Sequence, residues 1–184
     1  SLDLETSGLH PQSDRILAVG IVPVQNGVIR YGRRFYSLVR PPDLSGLSEE
    51  GLRAHHILPG ELERAPGIEE ILPEIDARLR EGVLLLHFAE LDLGFLKQAY
   101  KRAGRTWPKP AVVDTVRLLL KLHERQHHLT PYPTPVRTTL PEARADIGLP
   151  PHEQHHALGD AMATAELFLA LRARLGAATL RELR

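Results

Sequence analysis

The sequence predicts an α/β fold on a mixed sheet, and three observations carry that reading. Residues 15–24, RILAVGIVPV, are a β-branched apolar run. Asn26-Gly27 follows as the two-residue turn that favours a tight hairpin, and residues 28–39, VIRYGRRFYSLV, form the return strand. The hydrophobic period then changes. Ile68, Ile71, Leu72, Ile75 and Leu79 mark an amphipathic helix, and short apolar runs alternate with helical ones thereafter.

Along the chain, LDLET (2–6) is a short strand cut off by Ser7-Gly8. The stretch from Arg40 to Glu61 is a loop with short helical pieces. Pro73 lies inside the helix around residues 68–79 and is expected to kink it. GVLLLHF (82–88) is a continuous apolar run, as in a buried strand. Leu91, Phe95, Leu96, Ala99 and Ala103 share one helical face, with Gly104 as the stop. AVVDTVRLLLKLH (111–123) is a strand turning directly into a helix. Residues 125–139, with three prolines, are the least regular part. Leu158, Ala161, Met162, Ala165, Phe168 and Leu169 form the stripe of a long helix ending near Gly176. There is no internal repeat, low-complexity tract or domain linker, and 184 residues suit one domain.

Composition excludes several classes. Apolar residues make up 42% and charged residues 25%, ordinary for a globular protein. Lys plus Arg equals Asp plus Glu at 23 each, so global charge attracts neither nucleic acid nor an anionic membrane. An anionic ligand must be drawn by a local patch or by bound cations. Basic residues are nearly all Arg, with Lys only at 97, 101, 109 and 121. With no cysteine, disulfides, thiolate metal sites and cysteine nucleophiles are excluded. No run approaches the ~18 apolar residues of a membrane span. With no secretory signal, the expected compartment is the cytoplasm.

Three groups of residues carry chemistry. Asp3 and Glu5 are i and i+2 on a strand, so their side chains share a face about 6–7 Å apart. Such a pair holds hard divalent cations, Mg²⁺ or Mn²⁺, although a strand end leading into a turn explains it as well. Asp92 follows the strand at 82–88 in the first turn of the next helix, where the helix dipole alone favours an acid. His155 and Asp160 are five apart; on one helix they would diverge by about 140°. A helix starting after His155 would let the histidine swing in from the preceding loop, with Asp160 fixed on the first turns.

Together, in the order D-x-E, D, H-x4-D, these groups resemble the DEDDh 3′–5′ exonucleases, the family of the bacterial polymerase proofreading (epsilon) subunit and ribonuclease T. DLETSGL resembles the first family motif, HFAELDLGFL the second and HHALGDA the third, and VDT at 113–115 fits the usual strand-to-helix step. The resemblance implies a ribonuclease H-like fold, with a five-stranded mixed sheet whose strand two is antiparallel. It implies four metal-binding acids, Asp3, Glu5, Asp92 and Asp160, holding two divalent cations, and His155 as general base. Asp3 would bridge both ions, Glu5 and Asp160 would complete one site, and Asp92 would reach the other mainly through its water shell. EGLRAHHI resembles the family's Glu and His-Gly-Ile segment, which would make Glu50 and His55 contacts near the nucleotide, although an amphipathic surface segment explains it as well. Backbone N–H groups around Thr6 and Ser7 would bind the terminal 3′-hydroxyl, Leu9 would pack on a base, and His87, Phe88 and Leu91 would contact substrate.

The implied reaction is hydrolysis of the terminal phosphodiester of a single-stranded or frayed 3′ end to a 5′-mononucleotide, with DNA the favoured substrate. Histidine is a base only when neutral and its reference pKa is ~6.5, so activity is expected to fall on the acid side. The sequence departs from the family at Phe88, where Asn is usual, at His56, where Gly is usual, and in the tract before the third motif. Rival readings are a non-catalytic nucleic-acid-binding module, an RNA-trimming enzyme, and a transition-metal site using His123 and His127 at i, i+4. The partners expected are nucleic acid with a free 3′ end and a DNA polymerase or further domain, with no membrane. Only Ser1 and Leu2 precede Asp3, so the natural polypeptide is expected to continue upstream to complete the strand.

Overall fold

The first strand, β1 (Leu2–Thr6), alternates side chains across the sheet, and that alternation sets what each face carries. Leu2 and Leu4 point into one core, which leaves Asp3 and Glu5 on the other face. The computed structural model describes residues 1–44, 47, 55–80, 82–129, 134–177 and 179–183. β1 pairs antiparallel with β2 (Ile16–Ile21), which pairs antiparallel with β5 (Phe35–Leu38). β6 (Val83–Leu86) and β7 (Ala111–Asp114) pair in parallel, as a helical crossover between them requires.

The α/β class with an antiparallel second strand is as the resemblance implied. The single five-stranded sheet is not. Among the described residues its hydrogen bonding divides at the seam where β1 and β6 lie against each other. β1 is five residues long and its ladder to β2 is bulged between Glu5 and Thr6, so little of it stays in register for a second ladder.

The expected long hairpin is also interrupted. Asn26 and Gly27 take positive φ angles of 53° and 75° and close a turn, but the ribbon they join is only β3 (Val24–Gln25) and β4 (Val28–Ile29). A 3₁₀ turn at Tyr31–Arg33 follows before β5. Residues 30–34, RYGRR, are all exposed, and none is buried against the sheet.

Helices cover both faces. On one, α2 (Ile68–Arg80) and α3 (Ala89–Arg102) pack Ile71, Leu72, Ile75, Phe95 and Leu96 against Leu2, Leu4, Val19 and Leu84. α2 continues through Pro73. α1 (Pro59–Arg64) is a short helix that buries Leu62 against Leu17 and Ala18. On the other face lie α4 (Thr115–His127), α5 (Leu140–Ile147) and α6 (Ala157–Leu175), packed around Leu118, Leu122, Ile147, Leu167 and Leu171. α6 is wedged between the sheet and α4 and α5. Its buried face is therefore wider than the predicted stripe: Ala163, Leu167 and Leu171 are buried, while Leu158, Met162 and Leu169 are only half-buried.

One residue sets how close α6 comes. Gly20 is opposite Asp3 in the β1–β2 ladder, and a Cβ there would lie 2.2 Å from the backbone carbon of Ala157. The helix bearing Asp160 thus starts directly against the strand beside Asp3. The loop after β1 is fixed as well. The Arg102 guanidinium donates to the carbonyls of Pro11, Gln12 and Asp14.

Candidate active site

Three elements converge on one end of the sheet. β1 supplies Asp3 and Glu5. α3 supplies Asp92, in its first turn and 8% exposed. α6 supplies Asp160: His156 is its N-cap, with Nδ1 accepting from the Gly159 N–H at 3.3 Å, so Asp160 falls on the first turn and His155 in the loop before it. Oxygens of Asp3, Glu5 and Asp160 lie within 4.8 Å of one another. Asp92 is outside that trio but electrostatically joined to it, because its charge raises the pKa of Asp3.

The electrostatics are unfavourable without a cation. Desolvation pushes the Asp3 carboxyl well above the usual range, and repulsion from Asp92, Asp160 and Glu5 adds to it. Desolvation pushes Asp92 up to about 8, opposed by backbone N–H groups including that of Leu4. Glu5 Oε1 is buried with no hydrogen-bond partner. An all-oxygen donor set with an orphaned carboxylate oxygen and mutual repulsion fits hard divalent cations.

Histidines surround the carboxylates. His55 Nδ1 lies 2.5 Å from Glu5 Oε2, and the hydrogen bond to Glu5 raises its pKa. The exposed His155 takes a positive φ of 63°; its backbone N–H donates to Asp160 Oδ2 at 2.9 Å, and its ring meets that of His55 edge-on at 6.2 Å. The left-handed turn thus sets the imidazole beside His55, the partner of Glu5, while its backbone holds Asp160.

The other predicted contacts fare differently. Leu9, Phe88 and Leu91 are 71%, 48% and 36% exposed, free to meet a base. The Ser7 N–H donates to the Arg15 carbonyl and the Thr6 hydroxyl to the Gly8 carbonyl, so the turn closes on itself and the Ser7 N–H is not open to a 3′-hydroxyl. His87 is a brace: burial lowers its pKa, its Nδ1 lies 2.7 Å from the Thr115 hydroxyl and its Nε2 2.8 Å from the Thr138 carbonyl. Both ring nitrogens are thus taken up by protein partners. Glu50 lies outside the described residues. The rings of His123 and His127 lie 4.4 Å apart, tilted by 38°, but the one cluster of three or more metal-ligating side chains among the described residues is Asp3, Glu5 and Asp160.

Sequence reading missed two side chains. Asp114 caps α4 through Val116 N–H and accepts from Ala89 N–H at 3.1 Å, tying β7 to the left-handed turn at Phe88 that launches Asp92. His152 Nε2 lies 2.9 Å from Asp160 Oδ1, both side chains being largely buried. Three histidines in the five residues 152–156 were the available signal. His152→Ala is expected to weaken Mn²⁺ affinity roughly 10–100-fold, the usual effect of losing a partner of a metal ligand. Calorimetric Mn²⁺ titration checks it; unchanged affinity would remove His152 from the site.

This fold and carboxylate cluster suit metal-assisted phosphodiester hydrolysis. A family model described as exonuclease (RNase_T) matches residues 1–168. The chain belongs to the exonuclease family. It is 32% identical over 169 residues to a DNA polymerase III PolC-type protein of Thermotoga maritima, covering 91% of this chain and 11% of that one. It is 34% identical over 116 residues to the PolC-type polymerase of Staphylococcus epidermidis, covering 63% and 8% respectively. The chain thus spans about a tenth of the length of these relatives. In fold it resembles cell-death related nuclease 4 (TM-score 0.78, 16% identity, 95% of this chain, 63% of the other). It also resembles Escherichia coli exonuclease I in complex with an oligonucleotide (0.77, 15%, 99% and 41%). A third likeness is to the nuclease domain of 3′hExo, a DEDDh family member bound to rAMP (0.71, 18%, 100% and 92%).

Proposed function

We propose that the chain is a 3′–5′ exonuclease acting on single-stranded or frayed 3′ ends, DNA preferred, within a larger polymerase-type polypeptide. The observation that carries this is the gathering of Asp3, Glu5 and Asp160 within 4.8 Å, beside the buried Asp92, with the His155 ring 6.2 Å from that of His55, the partner of Glu5. Asp3, Glu5, Asp92 and Asp160 would hold two divalent cations. Bound there, these would supply charge neutralisation for the phosphodiester and a water acidified for attack.

The chain's own residues do the rest. His155 takes the proton from the attacking water, and its loop position lets it follow the water while Asp160 stays fixed. His55 holds Glu5 Oε2, fixing that carboxylate in the cleft. Leu9 and Leu91 pack against the terminal base and restrict the cleft to a chain end.

His155→Ala is expected to lower turnover roughly 10²–10⁴-fold, the usual weight of a general base, with Mn²⁺ binding nearly intact. A variant keeping more than about half the wild-type rate would end the base assignment. For the substrate, 3′-labelled single-stranded DNA, duplex DNA with a mismatched end, and RNA are compared with Mg²⁺ and with Mn²⁺. Fastest release from the first two supports this reading. Faster release from RNA makes the chain an exoribonuclease, and binding without release makes it a non-catalytic module.

A further inference from the structure

The uneven placement of lysine is not absorbed by the catalytic site. All four lysines of the chain fall between residues 97 and 121: Lys97 and Lys101 on α3, Lys109 in the loop entering β7, and Lys121 on α4. α3 and α4 flank a groove of about 1000 Å³, at the upper end of the ~300–1,000 Å³ of small-molecule sites. It follows β7, which pairs only with β6 among the described residues. Lys97, Arg117 and Lys121 line it, over a floor that includes Leu93, Val112 and Leu118. Among the described residues none of the three cations pairs with a carboxylate; Lys121 Nζ donates to the Glu182 carbonyl.

Two acids also line the groove, Glu90 and Asp114. Asp114 already accepts the N–H groups of Val116 and Ala89, one on each oxygen, so its charge is largely answered within the fold. The remaining balance is cationic, in a chain whose net charge is +0. One wall of the groove is Phe88, 48% exposed, at the junction where β6 hands over to the helix carrying Asp92. Cations along an apolar floor with an exposed aromatic ring are the ingredients of a sequence-tolerant single-strand site, where bases stack and cations track the backbone.

We propose that the groove between α3 and α4 binds the part of a single-stranded nucleic acid that lies 5′ to the nucleotide being removed. The strand leaves the carboxylate cleft past Phe88 and lays its phosphates along Lys97, Arg117 and Lys121. This rests on the exonuclease reading and adds a grip on the body of the strand, separate from the cleft that takes its end. Long substrates gain affinity from it and substrates of one nucleotide do not.

The test compares wild type with Lys97→Glu/Arg117→Glu. Both are exposed surface side chains outside the catalytic set, and circular dichroism with a melting curve confirms folding. Two substrates are used with Mn²⁺: the p-nitrophenyl ester of thymidine 5′-monophosphate, which fills only the cleft, and a single-stranded 20-mer. The expected result is an unchanged kcat/KM for the ester, within about twofold, and a KM for the 20-mer raised at least about tenfold. Its dependence on log salt should be shallower by about 1.4, from two lost phosphate contacts at ~0.7 each. An unchanged 20-mer KM and salt slope would overturn the proposal. So would wild-type protein binding a deca-glutamate peptide more tightly than the 20-mer, with that binding lost in the variant, which would make the groove a protein-docking site. If wild type hydrolyses neither substrate, the exonuclease reading fails. Fluorescence anisotropy of the 20-mer with Mn²⁺ then still decides the groove: weaker binding by the variant supports it, equal binding overturns it.

Discussion

Asp3→Asn is expected to abolish nucleolytic turnover, by about 10³-fold or more, and at the same time to raise the melting temperature of the metal-free protein. The two effects share one cause. Asp3 is desolvated and repelled by Asp92, Asp160 and Glu5, which hold its carboxyl well above its usual range. Asp92 is pushed up to about 8, again chiefly by desolvation. A folded state that keeps protons the unfolded chain would release is stabilised by these groups at low pH. That stabilisation is lost as pH rises from the ordinary carboxylate value of 3.8 towards the folded one. The metal-free protein should therefore melt at progressively lower temperature between about pH 5 and 8, and Mn²⁺ should reverse the trend. Asn keeps the shape of Asp3 without the charge. At pH 8 without metal the variant should gain about 4 °C or more, since ~1 kcal/mol moves a domain of this size by ~2–4 °C. Scanning fluorimetry across pH, with and without Mn²⁺, checks it. A variant that melts lower than wild type at pH 8 would show that the carboxylates are not held against one another.

Gly20→Ala is expected to be nearly as damaging although Gly20 carries no functional group. The added Cβ would sit 2.2 Å from the Ala157 carbon, 2.3 Å from its oxygen and 2.3 Å from the Leu158 nitrogen. These are backbone atoms of the first turn of α6, and no side-chain rotation relieves the overlap. Either α6 lifts from β2 or the strand distorts opposite Asp3. Lifting α6 carries Asp160 away from Asp3 and Glu5 and disturbs the turn holding His155. Overpacking of this kind costs about 1–3 kcal/mol or more, and a 1 Å misplacement can cost ~10²-fold in rate. Activity should fall at least about 100-fold, with Mn²⁺ affinity reduced alongside. If Gly20→Ala keeps wild-type metal affinity, α6 is not seated on β2 as described.

The carboxylates were legible because each interrupts an apolar pattern at a junction where strand or loop meets helix. Asp3 and Glu5 alternate with buried leucines, and Asp160 follows a histidine at a spacing that one helix face cannot serve. The supporting residues were not legible, because their partners are distant in sequence. His87 is a brace through Thr138, 51 residues away in the irregular proline-bearing tract. His152 meets Asp160 only once its loop folds back on α6, and no period marks a loop residue. Nothing in the apolar run at 15–24 singles out Gly20; the helix pressing on it belongs to the far end of the chain. The broken return strand followed from five exposed residues, 30–34, whose β-propensity had no apolar face behind it.

The carboxylates of β1, α3 and α6 are proposed to run a metal-dependent hydrolysis from the 3′ end. The most direct measurement is a time course on a 5′-labelled single-stranded 20-mer with Mn²⁺, with parallel reactions in EDTA and with Asp3→Asn. A ladder of labelled products shortened one nucleotide at a time from the 3′ end is expected, absent in both controls. Early release of the label as a mononucleotide, or an unchanged ladder in EDTA, would contradict it.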